Sequence, residues 1–393
     1  MNLPALLFMD SSGLEHLQRC LPQLEVESEK VSSLRLERKI QTGSFDLKNF
    51  GLRPLPPMEF TRHRLRLAVS DAADQPLLLE AGFLSLRAWL LTERNLANAS
   101  LPSLTLLRRR ALPGLRLSWW PWASGAHPWR QVPGSARSRS SPQLLQGSFH
   151  LLSSFNNPNW YHWLTLPGLG TLPMHTYARS VIISDRALTG NNGSLPSLLG
   201  RVAILAKALA PGGLIRFDRG PLLVKELHAC FIENHTSLVC DGVALRLLRR
   251  TTLPLASSAS SIYHTKYLYL RRGPSARRPL IQEDRLEKLL LQRGFIVVDA
   301  ESLPLYDCIA CFANARWVVA PHGAALTNLV FAQPGTRVLE LLPGSLQEFG
   351  HYALMAAALD LDHSHFSGHV VEGGGFQVNQ EQVIAWLDSI LQA

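Results

Sequence analysis

Trp-Val-Val-Ala-Pro-His-Gly-Ala-Ala-Leu-Thr-Asn-Leu-Val-Phe-Ala-Gln-Pro-Gly-Thr-Arg-Val-Leu-Glu-Leu-Leu, residues 317 to 342, reads as a strand, a turn, a short helix and a second strand. The apolar run Trp317 to Ala320 stops at Pro321, His322 and Gly323, Ala324 to Phe331 carries the helix, and Arg337 to Leu341 the next strand. Strand, helix and strand at these lengths imply a parallel βαβ unit. Small residues at Gly323, Ala324 and Ala325 let a ligand approach the backbone closely. The first turn of the helix leaves N–H groups without acceptors and its dipole favours negative charge, so this turn suits a phosphate. The carboxyl ends of strands are also where open parallel sheets hold ligands. His322 reads as a hydrogen-bond donor to a phosphate oxygen, and Asn328 as a residue that holds the loop or touches the ligand. For Glu340, on the next strand, two readings balance: an acceptor from ribose hydroxyls, or an ordinary strand residue.

The alternation extends outward from this segment. Lys266 to Leu270 reads as a strand, Glu283 to Arg293 as a helix with Gly294 at its C-cap, Phe295 to Asp299 as a strand, and Leu305 to Ala315 as a helix. Gln380 to Leu391 is a closing amphipathic helix. Upstream, Ser180 to Ser184, Leu214 to Phe217 and Leu222 to Phe231 read as strands, and Leu198 to Leu209 as a helix stopped by Pro211, Gly212 and Gly213. Thr252 to Ser261 is rich in Ser, Ala and Thr and reads as a linker. The expected division is therefore 1–255 and 256–393, with 151–255 α/β and 1–150 partly β. In that first stretch Ser12 and Glu15 make a capping box, Arg64 to Ser70 suggests β-structure, Trp119 to Trp129 is Pro/Gly-rich, and Ser135 to Pro142 reads as an exposed loop.

The 393 residues, 46% apolar, suffice for two cores. A net charge of +9 favours anionic partners, but the arginines are scattered and no nucleic-acid motif accompanies them. A compact phosphate-binding cleft accounts for the charge, and nucleic acid is not an expected partner. Five cysteines in a chain this long make no disulfide framework. Without a signal-peptide pattern or a run of ~18 apolar residues, the expectation is a cytoplasmic protein, with peripheral contact at the inner face of a membrane left open.

Two further clusters carry chemistry. Arg271, Arg272 and Gly273 follow a strand directly, with Arg277 and Arg278 close behind. Arginine forks suit bidentate phosphate contacts, and Arg271, with one of Arg277 and Arg278, is the expected contact. Asn159, Trp160, Tyr161, His162, Trp163 and Leu164 gather amides and aromatics of the kind that meet sugar faces. There His162 reads as a general base, with core packing of Trp160 and Trp163 as the competing account, and Asp185 stands as a fallback base. Cys308 and Cys311 have redox-type spacing but fall inside an apolar helix and read as core. His363, His365 and His369 read as a surface loop, with no metal site assigned.

Together these segments resemble glycosyltransferase family 61. The family's motif of Asn, two aromatics and His-Trp-Leu stands here as Asn159 to Leu164. Its strand-end arginine and paired arginines stand as Arg271, Arg277 and Arg278, and its His-Gly-Ala-Gly-Leu-Thr-Asn as His322 to Asn328, followed by Pro334 to Thr336 and Glu340. Ala325 replaces the usual second glycine, and the Asn-Glu expected after the paired arginines becomes Ile281, Gln282 and Glu283. The resemblance implies a GT-B type α/β fold: two Rossmann-like lobes facing a cleft, here with a β-rich N-terminal extension. It implies inverting transfer from a nucleotide-sugar donor on the C-terminal lobe to a glycan or lipid-linked glycan, as in bacterial surface polysaccharide assembly. The donor contacts it implies are Arg271, Arg277, Arg278, His322, Gly323, Ala324, Asn328 and Glu340. The acceptor contacts are Asn159, Trp160 and Tyr161, with no cofactor and no metal. The departures at Ala325 and Ile281 keep a second expectation in play, a catalytically inactive glycan-binding or scaffold protein on the same fold.

Overall fold

The computed structural model describes residues 24–31, 37–41, 51–54, 60–68, 77–81, 86–90, 143–152, 160–165, 180–184, 196–210, 214–217, 222–234, 241–260, 263–273, 276–346 and 350–391. The helix expected after Ser12, the stretch Trp119 to Trp129 and the loop Ser135 to Pro142 lie outside them. The chain divides into two compact units, residues 1–32 with 59–239, and residues 33–58 with 240–393.

The first unit holds one mixed sheet built from β1 (Leu24–Val31), β4 (Phe60–Ala68), β5 (Leu77–Ala81), β6 (Leu86–Leu90), β7 (Gln143–Leu152), β8 (Ser180–Ser184), β9 (Leu214–Phe217) and β10 (Leu222–Asn234). Its order is β1-β4-β10-β7-β8-β9, with β5 between β10 and β6 at one side. β10, β7, β8 and β9 run parallel, while β1, β4 and β5 join antiparallel. The N-terminal strands, expected as an extension, are thus members of the same sheet as the α/β part. The β7–β10 register slips between Val224 and Glu226, and Gly147, at φ +114°, supplies the bulge that only glycine adopts readily. Helices α1 (Trp160–Thr165) and α2 (Pro196–Leu209) belong to this unit.

The longer segment of the second unit opens with α3 (Gly242–Thr252), capped by Asp241, whose carboxylate accepts from Ala244 N at 3.0 Å. It runs straight into a 3₁₀ helix, Leu253–Ser258, which packs on α5 (Leu305–Asn314). The expected linker is therefore structured. Its Ser/Ala/Thr composition hides Thr252, which is fully buried and returns its hydroxyl to Leu248 O at 2.8 Å.

The sheet of this unit contains β2 (Glu37–Gln41), β3 (Gly51–Pro54), β11 (Tyr267–Leu270), β12 (Ile296–Val298), β13 (Trp317–Pro321), β14 (Arg337–Pro343) and β15 (Asp362–Val370), with β16 (Phe376–Gln377) paired on β15. The order is β12-β11-β13-β14-β15-β2-β3, and the first six strands are parallel. Helices α4 (Glu283–Leu291) and α7 (Gln380–Leu391) cover one face, where Leu286, Leu290, Val383 and Leu387 meet Tyr269, Val319, Leu339 and Leu341. α5, a 3₁₀ helix at Ala324–Phe331 and α6 (His351–Ala358) contribute a second buried set that includes Ile309, Phe312, Leu329 and Leu354. The helix expected after Gly323 is thus 3₁₀ rather than α. His363, His365 and His369, expected in a surface loop, lie on the interior strand β15, and His365 is buried. The polar letters of Asp362 to Val370 conceal a strand whose centre, Ser364, His365 and Phe366, is buried on both faces of the sheet. No helix among the described residues is long and apolar enough to cross a membrane.

The strand order places β12 on one side of β11 and the next strand, β13, on the other. Such a reversal is a topological switch point, and it opens a crevice beyond the carboxyl ends of β11 and β13.

Candidate functional site

β11 ends at Leu270 and β13 at Pro321, so the loops after them flank the switch point. A cavity of about 600 Å³ lies there. Its walls are Arg271, Arg272, Gly273 and Arg277 after β11, Asp299 and Glu301 after β12, and Pro321, Ala324 and Ala325 after β13. That volume falls in the range of small-molecule sites.

Arg272 is the residue that joins the two loops. Its Nε donates to Arg278 O at 2.9 Å, and a terminal nitrogen donates to His322 O. Among the described residues no carboxylate pairs with its guanidinium. Burial first, then the neighbouring charge of Arg278, lower its pKa. A buried cation without a carboxylate partner is costly, and an anion in the crevice would offset the cost. The loop itself is held by Glu283, which is 7% exposed and accepts from Arg272 N at 2.8 Å, Gly273 N at 2.9 Å and the Tyr269 hydroxyl at 2.9 Å.

Gly323 has φ 175°, an extended backbone that any residue adopts. Space favours glycine there: a Cβ would stand 1.8 Å from a terminal nitrogen of Arg272, and the guanidinium would have to shift. Ala324 and Ala325 begin the 3₁₀ helix, and its first N–H groups have no acceptor within the helix. Asn328 is buried and donates its side-chain amide to Ala325 O at 2.9 Å, which holds this turn.

Behind the turn His322 Nδ1 donates to Glu340 Oε1 at 2.5 Å, and His363 Nε2 donates to Glu340 Oε2 at 2.9 Å. An ionised carboxylate only accepts, so both ring nitrogens carry hydrogens. Burial alone would push the Glu340 carboxyl up; the hydrogen bonds from His322 and His363 reverse this and hold it well below the usual carboxylate range. Glu340 is 1% exposed with both oxygens engaged, so in this structure it orients His322 and does not face the crevice. The His322 ring stacks edge-on against Tyr352 at 5.3 Å and is not a wall of the crevice. Because Nδ1 already donates, a second donation from Nε2 to a phosphate requires the imidazolium form. Nearby His351 is lowered to about 4, by burial first and then by the charge of His322, against an opposing pull from Glu340.

The expected donor residues therefore separate. Arg277 and Ala324 wall the crevice, and Arg278 contributes the carbonyl that anchors Arg272. Arg271 also lines it, but its guanidinium pairs with Asp284 at 2.8 Å and with Glu287 at 3.0 Å on α4. In the first unit Trp160 and Tyr161 are 8% exposed, and the Arg201 guanidinium lies 5.9 Å over the Trp160 ring. Their burial weighs for core packing over contact with a glycan. His162 sits in α1, and its side chain, like Asn159 and Asp185 as a whole, lies outside the described residues.

Cys308 and Cys311 are free thiols, fully buried in α5, and burial pushes Cys311 up to about 12, as their reading as core implies. Asp360 and Asp362 stand at the amino end of β15, the opposite end of a parallel sheet from the crevice. Among the described residues no three acids, histidines or cysteines form a cluster able to hold a metal ion. Sequence reading passed over Arg272, Glu283 and Glu301, although strand parity was a usable signal for the first: Arg272 shares the parity of Leu268 and Leu270, opposite to that of Tyr269.

No curated protein matches the chain. A family described as Glycosyltransferase 61 does match, over residues 150–339. The match takes in α1, both arginine clusters and the His322 turn, and it stops one residue short of Glu340. That match covers just under half of the chain, and over it the chain is similar to glycosyltransferase family 61.

Proposed function

We propose that the chain is an inverting, metal-independent glycosyltransferase that moves a sugar from a nucleotide-sugar donor to a glycan or lipid-linked glycan acceptor. The observation that carries this reading is Arg272, held against the His322–Gly323 backbone at the switch point with no carboxylate partner among the described residues. In single-step inversion an acceptor hydroxyl attacks the anomeric carbon as the bond to the leaving diphosphate breaks. The hydroxyl proton passes to a base, and the diphosphate departs with its negative charge. Arg272, Arg277 and the first N–H groups of the 3₁₀ helix are the groups in this reading that stabilise that charge. His162 is the proposed base, with Asp185 as the second candidate. The GT-B arrangement, with donor on the second unit and acceptor on the first, rests on the family, as does a role in bacterial surface polysaccharide assembly. A cytoplasmic location, with peripheral contact at the inner face of a membrane, completes the proposal.

The test is turnover with a panel of nucleotide-sugars and glycan acceptors in the presence of a chelator, with the product anomer assigned by NMR. Inverted product in chelator supports the reading. Retained configuration, or a metal requirement, removes the corresponding part of it. Ala325 favours a second reading, because its side chain lines the crevice where the family has glycine. In that reading the chain binds glycan without turnover, and transfer above background overturns it.

A further inference from the structure

Behind the crevice one carboxylate serves two imidazoles, and the two are not equivalent. Glu340, on β14, accepts from His322 Nδ1 at 2.5 Å through Oε1 and from His363 Nε2 at 2.9 Å through Oε2. Its single negative charge can balance one imidazolium. A second cation beside it would be buried without a counter-charge, which is costly. The choice between the rings is made by what the remaining nitrogen of each one meets.

His363 stands on β15 with its side chain 5% exposed, and its Nδ1 is buried with no hydrogen-bond partner among the described residues. A second proton on that nitrogen would enclose a cationic N–H without an acceptor. The ring is therefore the neutral tautomer that donates from Nε2 alone. His322 follows β13 and lies between Pro321 and Ala324, two walls of the crevice. Its side chain is 9% exposed, and its carbonyl accepts from Arg272.

The groups packed on this pair leave the charge to His322. His351 and Tyr352 come from α6. Burial lowers His351 to about 4 and pushes the Tyr352 hydroxyl up, so neither carries charge near neutral pH. His365, buried on β15, is the register partner of Glu340, and its ring lies 6.5 Å from that of His363. The Arg272 and Arg278 cations are within electrostatic reach of Tyr352, whose ring packs on His322. An anion held by those arginines favours the charged form of His322.

We infer that His363 is a positioning residue for the diphosphate: as a neutral donor it holds one oxygen of Glu340 and leaves the charge of that carboxylate to His322, which meets the diphosphate as an imidazolium. This rests on the reading of the crevice as the donor site. Without His363, the buried Glu340 loses one of the two hydrogen bonds that favour its ionised form, and it takes the proton that His322 would carry. The family match stops at residue 339, before both Glu340 and His363.

Calorimetric titration of the full chain, His322→Ala, His363→Leu and His363→Gln between about pH 5.5 and 8.5 tests the inference. The probes are inorganic pyrophosphate, ADP, CDP, GDP and UDP, and thermal melts check that each variant is folded. His322→Ala is the baseline, because the ionisation of the probe itself is common to every chain. Relative to it, the wild type should bind most tightly at the acid end and lose roughly ten-fold of that advantage as pH rises and His322 gives up its proton. His363→Leu should lose this pH-dependent advantage. His363→Gln, whose side-chain amide can donate to Glu340, should keep most of it. Nitrogen-15 spectra of the imidazoles should show His363 protonated at Nε2 alone across the range, and His322 doubly protonated with pyrophosphate bound at the acid end. Those spectra decide the matter even where His363→Leu does not fold. A charged His363, a wild-type advantage that is flat with pH, or a folded His363→Leu with the wild-type profile overturns the role of His363 while leaving the donor site standing. A wild-type chain that binds none of these probes overturns both.

Discussion

Replacing Gly323 by alanine tests whether Arg272 and the His322 turn work as one unit. The backbone at Gly323 is extended, so the substitution introduces no backbone strain. Its cost comes from one contact, the new Cβ at 1.8 Å from a terminal nitrogen of Arg272. The guanidinium must move, and it gives up its hydrogen bonds to His322 O and Arg278 O. Two bonds from a charged donor are each worth about 1.5–3 kcal/mol, and partial repair by water leaves a net loss of about 2–3 kcal/mol. In the Arg272→Ala background there is no guanidinium to displace, so Gly323→Ala should then cost less than about 0.5 kcal/mol. Urea unfolding of the wild type, the two single variants and the double variant gives the coupling directly. A parallel titration with nucleoside diphosphate should show each single variant losing affinity and the double variant losing no more than Arg272→Ala alone. Additive costs, or a Gly323→Ala variant as stable and as tight-binding as wild type, refute the reasoning.

Arg271→Ala should lower diphosphate affinity only slightly, because that side chain is paired with Asp284 and Glu287, while Arg272→Ala should abolish most of it; calorimetry on the two variants separates them. Glu340→Gln removes the charge that two imidazoles share and should destabilise the chain by about 2 kcal/mol, read from urea unfolding at neutral pH. Acid should destabilise the fold in a defined window: His351 titrates near 4 when folded and near 6.5 when unfolded, so between those values only the unfolded chain takes the proton. Stability should fall by about 3 kcal/mol from this group as pH drops from 6.5 to 4, and His351→Asn should flatten that slope in urea unfolding across the same range. Glu340, whose folded pKa is depressed, contributes stability that is full above the ordinary carboxylate range and is lost below it, so it steepens the acid limb. Cys308 and Cys311 should resist a thiol reagent in the native chain and react on unfolding.

The parallel sheet of the second unit was legible because its strands are continuous apolar runs and its helices carry capping signals. Trp317 to Pro321 is buried throughout, and Gly294 takes φ +79° where a C-cap was expected. β15 was not legible, because Asp362, His363, Ser364 and His365 hide a buried strand whose alternate residues serve Glu340 and the core. β2 joins this sheet from far away in sequence, by pairing with β15, and no local pattern announces such a partner. At the site, the turn at His322 and Gly323 was readable from small residues after a strand, but the reason for Gly323 lies in Arg272, far earlier in the sequence. The choice between Arg271 and Arg272 depended on strand parity. Arg271 follows Tyr269 to the face of α4 and its acids, and Arg272 turns to the His322 loop. Glu340 was placed on the correct strand, but His363, on the adjacent strand β15 and two residues before the register partner His365, is what engages its second oxygen.

The central claim is that the switch-point crevice holds the diphosphate of a nucleotide-sugar donor. A crystal structure of the chain with a bound nucleoside diphosphate tests it most directly. The account predicts phosphate oxygens within hydrogen-bond distance of the Ala324 and Ala325 N–H groups and of the Arg272 guanidinium. A nucleotide seated elsewhere, or none bound at saturating concentration, would contradict it.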